Sequence, residues 1–337
     1  MDELVSLIVP VYNADEHFPF LVRSLFRQTY ENIEFIFVDD GSTNQCLDVL
    51  AFEMSQYSRS AGSVRIIHHN TNQGISSSRK DGIGAASGKY LAFADQDDLL
   101  DDDFVFQMKS LASDYHADVA ICGYTRDMTL NACEPSPENV ICLQPSFCFK
   151  LTLLEPGHSM LWNKLFLRQL FLDHDLNAPD QMTNLEDIHV LYRVFYYAKT
   201  VVSCSNPYYH WRNNPTSVSH TYSERVLAQA PALINAVIRM EDFIQENMIT
   251  DASMIKGFTT QETRILIDLA LYGQLSFLNK HRALFQRLNA INICSGSYFK
   301  WYAKTIALSY RYKMYPLLYL LRFIQRIKGR HLNATAH

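Results

Sequence analysis

The first hundred residues alternate between two hydrophobic periods. Leu4–Val11 (LVSLIVPV) is a short apolar, β-branched run that stops at Asn13, and Phe18, Leu21, Val22, Leu25 and Phe26 then recur at the spacing of one helical face. Ile33–Val38 predicts a second strand, Cys46–Tyr57 a second helix, Val64–Ile67 a third strand, Ile75–Ala86 a third helix and Tyr90–Ala94 a fourth strand. Strands separated by helices of this length need crossover connections, so a parallel sheet buried on both faces is expected. Ligands bind such sheets beyond the carboxyl ends of the strands. Polar clusters fall at those ends: Tyr12-Asn13, Asp39-Asp40 and Asp95–Asp98.

The pattern then loosens. Asp118–Cys122 and Thr200–Ser203 read as short strands, and Ile188–Tyr197 as a helix with Ile188, Leu191, Tyr192 and Phe195 on its buried face. Pro135, Pro137 and Pro145 mark an irregular stretch. Beyond Glu224 the period is helical, with Leu227, Ala230, Leu233, Ile234, Val237 and Ile238 in one stripe and Ile265, Leu266, Leu269 and Leu271 in another. A boundary near residue 222 is expected, separating an α/β domain (1–222) from a helical region (223–337).

Composition narrows the class. Of 337 residues, 48% are apolar and 19% charged, which is globular rather than disordered. Apolar runs such as Leu317–Leu321 fall far short of the ~20 residues of a membrane-spanning helix. The acidic start Met1-Asp2-Glu3 shows no legible secretory leader, and seven cysteines without a Cys-x-x-Cys pair suit a reducing compartment. A cytoplasmic location is expected, either free or peripheral on the inner face of the plasma membrane.

The net charge of −5 hides a division: residues 269–337 hold 11 Lys and Arg with no Asp or Glu, whereas the first 268 carry a net −16. The basic end suits an anionic membrane surface. Its segment Tyr315–Ile327 (YPLLYLLRFIQRI) reads either as an interfacial helix or as a helix packed on a neighbour or a second subunit. No nucleic-acid-binding module accompanies this charge.

Asp95-x-Asp97-Asp98 at a strand end is the strongest chemical signal. Closely spaced carboxylates there can hold Mg²⁺ or Mn²⁺ against the phosphates of a nucleotide, or else form a solvated acidic turn before the next helix. An EF-hand is disfavoured because the loop lacks its glycine. Asp39-Asp40-Gly41-Ser42 can accept hydrogen bonds from a base or ribose, or be an ordinary turn with Ser42 or Thr43 as helix cap. His68 and His69 fall at a strand end and call for no functional role.

The ordered motifs Val9–Asn13 (VPVYN), Val38–Ser42 (VDDGS), Asn72-Gln73-Gly74 with Arg79 and Gly82, and Gly88–Asp98 (GKYLAFADQDD) resemble those of family 2 glycosyltransferases. The resemblance is specific over residues 4–104. It extends more weakly to Trp162–Leu165, Glu186-Asp187 and Tyr209–Arg212 with Ser217, and it does not reach the last third. It implies a GT-A fold and inverting transfer from a nucleotide sugar, most often a UDP-sugar, to a hydroxyl of a glycan or lipid-linked acceptor. By the same resemblance Tyr12 stacks on the base, Asp39 binds it, Arg79 lies near base or phosphates, Asp95 lies near the ribose and Asp97 ligates the metal. Pro10, Asn13, Gly74, Arg212 and Ser217 complete the expected donor site, the last two as phosphate contacts on a closing loop. Lys80 and Ala94 depart from the usual pattern without touching a reacting group.

A hydroxyl nucleophile needs a base. The Glu186-Asp187 pair resembles the family's acidic pair, with Asp187 favoured; Asn184 and Asp187 alone would also read as a helix cap. Trp162 and Lys164 are candidate acceptor contacts, although Trp162 also suits a core. His210 is a candidate third metal ligand or diphosphate contact, or simply structural. A nucleotidyltransferase would share the sheet and the metal carboxylates, and a noncatalytic glycan-binding subunit would share the fold.

Overall fold

The computed structural model describes residues 3–57, 63–129, 140–155, 158–180, 182, 185–213 and 230–272. The chain first lays down β1 (Val5–Val11), α1 (Phe18–Phe26), β2 (Ile33–Asp39), α2 (Cys46–Ser55), β3 (Val64–His68), α3 (Ile75–Ala85) and β4 (Tyr90–Phe93). It continues through β5 (Leu99–Leu100), α4 (Phe104–Asp114), β6 (Val119–Ile121), β7 (Tyr124–Thr125), β8 (Val140–Leu143) and α5 (Pro145–Leu154). Then come β9 (Lys164–Leu167), α6 (Arg168–His174), α7 (Glu186–Tyr197), β10 (Val201–Cys204) and β11 (Tyr209–His210). Two further helices are α8 (Ala230–Glu246) and α9 (Ala252–Tyr272).

Eight strands form one sheet in the order β3-β2-β1-β4-β9-β6-β10-β8. β1 pairs in parallel with β2 and β4, β2 with β3, and β6 with β10. Helices cover both faces, so Leu7, Ile8 and Val9 of β1 and Phe35, Ile36, Phe37 and Val38 of β2 are all fully buried. Each such side chain contributes roughly 1.5–3 kcal/mol by leaving water. The chain winds outward from β1 to β3 and returns to β4 on β1's other side, which makes the β1/β4 ends the switch point where a crevice opens.

The sheet is mostly parallel, as expected; its exceptions are β9, which runs antiparallel between β4 and β6, and β8 on the outer edge. Reversal brings the start of β9, at Lys164, to the end where β4 and β6 finish. A four-residue apolar run has the same period in either direction, so this reversal leaves no local mark. The stretch expected to be irregular at Pro145 instead opens α5, where proline's fixed φ and missing N–H are tolerated. A second sheet, β5-β11-β7, seats Tyr209 and His210 beside the chain that follows β4.

The contacts divide the chain into two compact units, Met1–Thr152 with Gly157–Asn214, and Leu153–Pro156 with Pro215–His337. In the second, Leu233, Ala236, Val237, Met240 and Phe243 of α8 are buried. This stripe is displaced from the expected one, because Ile238 is 44% exposed. Phe243 meets Phe258 of α9 with centroids 6.2 Å apart. Leu227, Leu271 and the Tyr315–Ile327 segment lie outside the residues whose side chains are described.

Candidate active site

Three strand ends build the floor of the crevice. After β1, the chain turns through Tyr12 and Asn13; the Tyr12 N–H donates to Gln96 Oε1 (2.8 Å) and Gln96 Nε2 donates back to the Tyr12 carbonyl (3.2 Å). This pairing leaves the Tyr12 ring 43% exposed at the rim, free to stack on a flat ligand. Asn13 adopts φ +45°, and its Oδ1 accepts from Thr43 N–H at 2.8 Å. Pro10 sits inside β1, opposite Val38, rather than in the turn.

After β2, Asp39 is buried and closes its own turn by accepting from Ser42 N–H at 3.0 Å, with His68 Nδ1 3.3 Å from its other oxygen. No side-chain cap from Ser42 or Thr43 starts α2. Asp40 binds more partners. It accepts from Gln73 N–H (2.8 Å), Gly74 N–H (2.7 Å) and the His69 ring (2.7 Å), while the other His69 nitrogen meets Asp81 of α3 at 2.9 Å. Burial works against charge on His69, but Asp40 and Asp81 outweigh it and raise its pKa. Gly74 enters α3 at φ +91°, a conformation that favours glycine, so its N–H can reach Asp40. The two histidines that the sequence left without a role therefore buttress the Asp39-Asp40 pair.

Arg79, one turn into α3, is buried among carboxylates from two other elements. Its Nη2 donates to Asp95 Oδ1 at 3.1 Å, and its Nη1 to Asp187 Oδ1 and, at 3.4 Å, to Glu186 Oε1. Burial disfavours the guanidinium's charge, yet the three carboxylates outweigh it and raise its pKa. Burial and the neighbouring Asp187 push Glu186 up to about 7 despite Arg79. Burial likewise raises Asp95 to about 6, against the pull of Arg79 and with a further push from Asp187 and Asp97. Leu185, the residue before this acidic pair, sits at φ +65°. A leucine in that region costs on the order of 1–2 kcal/mol, a strain typical of functional turns. Asp187 Oδ2 accepts the Leu161 N–H at 3.0 Å, so Asp187 faces the crevice rather than capping α7; Asn184 lies outside the described residues.

The Asp95–Asp98 turn is not a solvated cap. Tyr209 of β11 receives the Asp95 N–H (3.1 Å) and donates its hydroxyl to Asp98 Oδ2 (2.7 Å). Burial, with Asp95 nearby, raises Asp98 well above the usual carboxylate range. Arg212 donates its N–H to Asp98 (2.8 Å) and its Nε to the Asp97 carbonyl (3.2 Å), and its Nη2 lies 2.6 Å from Asp15 and 3.5 Å from Asp97. Arg212, expected as a phosphate contact, here binds carboxylate and carbonyl oxygens of the acidic turn and Asp15; Ser217 lies outside the described residues.

His210 is committed elsewhere: one ring nitrogen meets buried Asp101 at 2.9 Å and the other the Asp127 carbonyl at 2.5 Å. That is the geometry of a structural histidine, with no nitrogen turned to Asp97. Trp162 and Lys164 are buried, not displayed to an acceptor. The indole stacks on Tyr209, 4.4 Å between centroids and 19° from parallel. Burial lowers the Lys164 pKa to about 8, against the attraction of Asp187.

Among the described residues, no group of three or more His, Cys, Asp or Glu is arranged to hold a metal by itself. The donor set does fit a hard divalent cation that draws most of its ligands from phosphates and water: Asp97 is a partly exposed oxygen donor beside an excess of carboxylates.

A carboxylate-lined crevice at the switch point of a mainly parallel sheet is the architecture of the GT-A class of glycosyl-transfer folds. Residues 6–160 match the model of glycosyl transferase family 2, so the chain carries a domain of that family. Over 309 residues it is 29% identical to EpsH of Bacillus subtilis, which bears a glycosyltransferase name, covering 88% of this chain and 84% of that protein. The fold resembles S. aureus TarS residues 1–349, solved in complex with UDP-GlcNAc (TM-score 0.60, 16% identity, 98% and 93% of the two chains). It also resembles the mannosyltransferase PcManGT of Pyrobaculum calidifontis, solved with GDP-Man and Mn²⁺ (TM-score 0.51, 12% identity, 98% and 89%).

Asp40, His69, Asp98 and Tyr209 are the site residues that the sequence reading did not single out. Asp40 and Asp98 stood inside recognised motifs, so the motif itself was a signal. Tyr209 opened the weaker motif at 209–212, whereas His69 had no such signal, because its partners Asp40 and Asp81 come from other segments.

Proposed function

We propose that the chain transfers a sugar, with inversion, from a UDP-sugar to a hydroxyl of a glycan or lipid-linked acceptor in the synthesis of a cell-surface polysaccharide. The observation that carries this is the convergence of Asp95, Glu186 and Asp187 on Arg79 beside the Tyr12–Asp39 rim. The UDP-GlcNAc complex of TarS supports a nucleotide-sugar donor, and the Mn²⁺ complex of PcManGT supports a divalent metal.

In this reading the Tyr12 ring stacks on the base and Asp39 accepts from it, with Pro10, Asn13 and Gly74 shaping the base pocket. Asp95 lies toward the ribose. Asp97 would hold Mn²⁺ or Mg²⁺, which neutralises charge on a departing diphosphate when bound. The acceptor oxygen attacks the anomeric carbon while the nucleoside diphosphate leaves from the opposite face. Asp187 takes the acceptor proton as that bond forms, a contribution of about 10²–10⁴ in rate. Arg79 and the Leu161 N–H each hold one oxygen of Asp187 and so fix its orientation in the crevice. The basic C-terminal region is assigned to contacts with an acceptor, an anionic membrane surface or a second copy.

The test is thermal stabilisation by UDP, GDP and CMP, each with and without Mn²⁺, beside Asp97→Asn. A Mn²⁺-dependent shift with UDP, lost in Asp97→Asn, is expected; a ligand at 100 times its Kd adds about 2.7 kcal/mol. No shift with any nucleotide would leave a noncatalytic subunit. Release of pyrophosphate in place of a nucleoside diphosphate would make the chain a nucleotidyltransferase.

A further inference from the structure

Lys164, at the start of β9, is a buried ammonium within the electrostatic reach of Asp187. Its Nζ donates to the Asn163 side-chain oxygen (2.7 Å) and to the Met160 carbonyl, spanning the turn 160–163 that leads into β9. Asn163 fastens the same turn to the end of β6: its Nδ2 donates to the Cys122 carbonyl at 2.8 Å, and its own carbonyl accepts the Cys122 N–H at 3.0 Å. Two residues of this turn then reach opposite sides of the crevice. Leu161 gives its N–H to Asp187, and Trp162 stacks on Tyr209, which ties down Asp95 and Asp98.

The geometry points to Lys164 as a positioning residue: by pinning the turn 160–163, its ammonium sets Asp187 against the Asp95–Asp98 loop. It touches no substrate and acts through Leu161 and Trp162. This rests on Asp187 being the base. Burying an ammonium is costly, and an apolar residue of similar length would often fold as well or better, so the charge is not explained by stability alone.

The groups that face Lys164 are Asp187 of α7, Cys122 after β6 and Cys148 of α5. Burial holds Cys122 well above the ordinary thiol range and lifts Cys148 to about 11, so neither changes charge near pH 8. Charge-assisted hydrogen bonds are roughly twice as strong as neutral ones, and the pin therefore weakens as Lys164 loses its proton.

The experiment compares wild type, Lys164→Met and Asp187→Asn as full chains. In Lys164→Met, UDP binding by thermal shift should persist, kcat should fall by about 10²-fold with little change in donor KM, and the alkaline limb of kcat near pH 8 should vanish. Hydrogen exchange at the Leu161 amide should accelerate, a readout independent of turnover. An inactive Asp187→Asn beside a fully active Lys164→Met, or unchanged Leu161 exchange, overturns the inference while the base assignment stands. Full activity in Asp187→Asn overturns both. Where Lys164→Met fails to fold, Asn163→Asp carries the test: a carboxylate on Nζ must move the alkaline limb to higher pH, and an unmoved limb overturns the inference.

Discussion

Arg79 places one positive charge between Asp95, Glu186 and Asp187, and Asp97 adds to the negative excess. Removing the arginine leaves three half-buried carboxylates without their cation. Arg79→Met should cost about 3–5 kcal/mol, measured by urea unfolding, because breaking a buried pair strands its partners. The same excess makes the site sensitive to protons. Glu186 sits at about 7 against an ordinary 4.5, chiefly because burial disfavours its charge. Between those values the folded chain keeps a proton that the unfolded chain has lost, so this group's contribution to stability falls as pH rises from 4.5 through 7. Glu186→Gln should flatten that slope by on the order of a few kcal/mol, measured as unfolding free energy from pH 4.5 to 8. A slope unchanged in Glu186→Gln would mean that another carboxyl of the cluster holds the proton. Activity separates the acidic pair: Asp187→Asn should lose about 10²–10⁴ in kcat with UDP binding intact, and Glu186→Gln less.

At the scale of elements, α3 carries Arg79 into the cluster and is fixed at both ends. Asp40 holds its first turn through the Gln73 and Gly74 N–H groups, and Gly82 lets its last turn lie on β1. A Cβ at Gly82 would fall 2.5 Å from the Ile8 side chain, which is fully buried and cannot swing away. Gly82→Ala should therefore destabilise by about 1–3 kcal/mol and lower turnover, since the helix that carries Arg79 must shift. Asp40→Ala should loosen the other end, leaving the buried Gly74 N–H unpaired at about 1–3 kcal/mol. Its signature is accelerated hydrogen exchange at Gln73 and Gly74.

For the whole molecule, the separation of charge between the first 268 residues and the last 69 is the dominant feature. Among the described residues no helix is long and apolar enough to cross a membrane. The full chain should sediment with vesicles rich in phosphatidylserine at low salt and be released near 0.5 M salt, because exposed charges are screened within a few ångströms there. Binding that persists in high salt would point to apolar insertion, and no binding would leave the basic region to an acceptor or a second copy.

Much of the α/β unit was determined by local sequence. Period and β-branching locate β1 to β4 and the helices between them: β1, β2 and β4 are apolar along their length because they are buried on both faces, and β3, on the sheet edge, is marked by its β-branched run alone. Strand-end carboxylates then fall in the crevice without knowledge of any contact. The reversal of β9 was decided only in three dimensions, as were the burial of Lys164, the histidine props under Asp39 and Asp40, and the commitment of His210 to Asp101. Each depends on register between segments far apart in the chain. Tyr209 meets Asp98 across 111 positions, and Arg79 meets Asp187 across 108. Hydrophobic period records whether a side chain leaves water; it carries no record of which polar group waits for it inside.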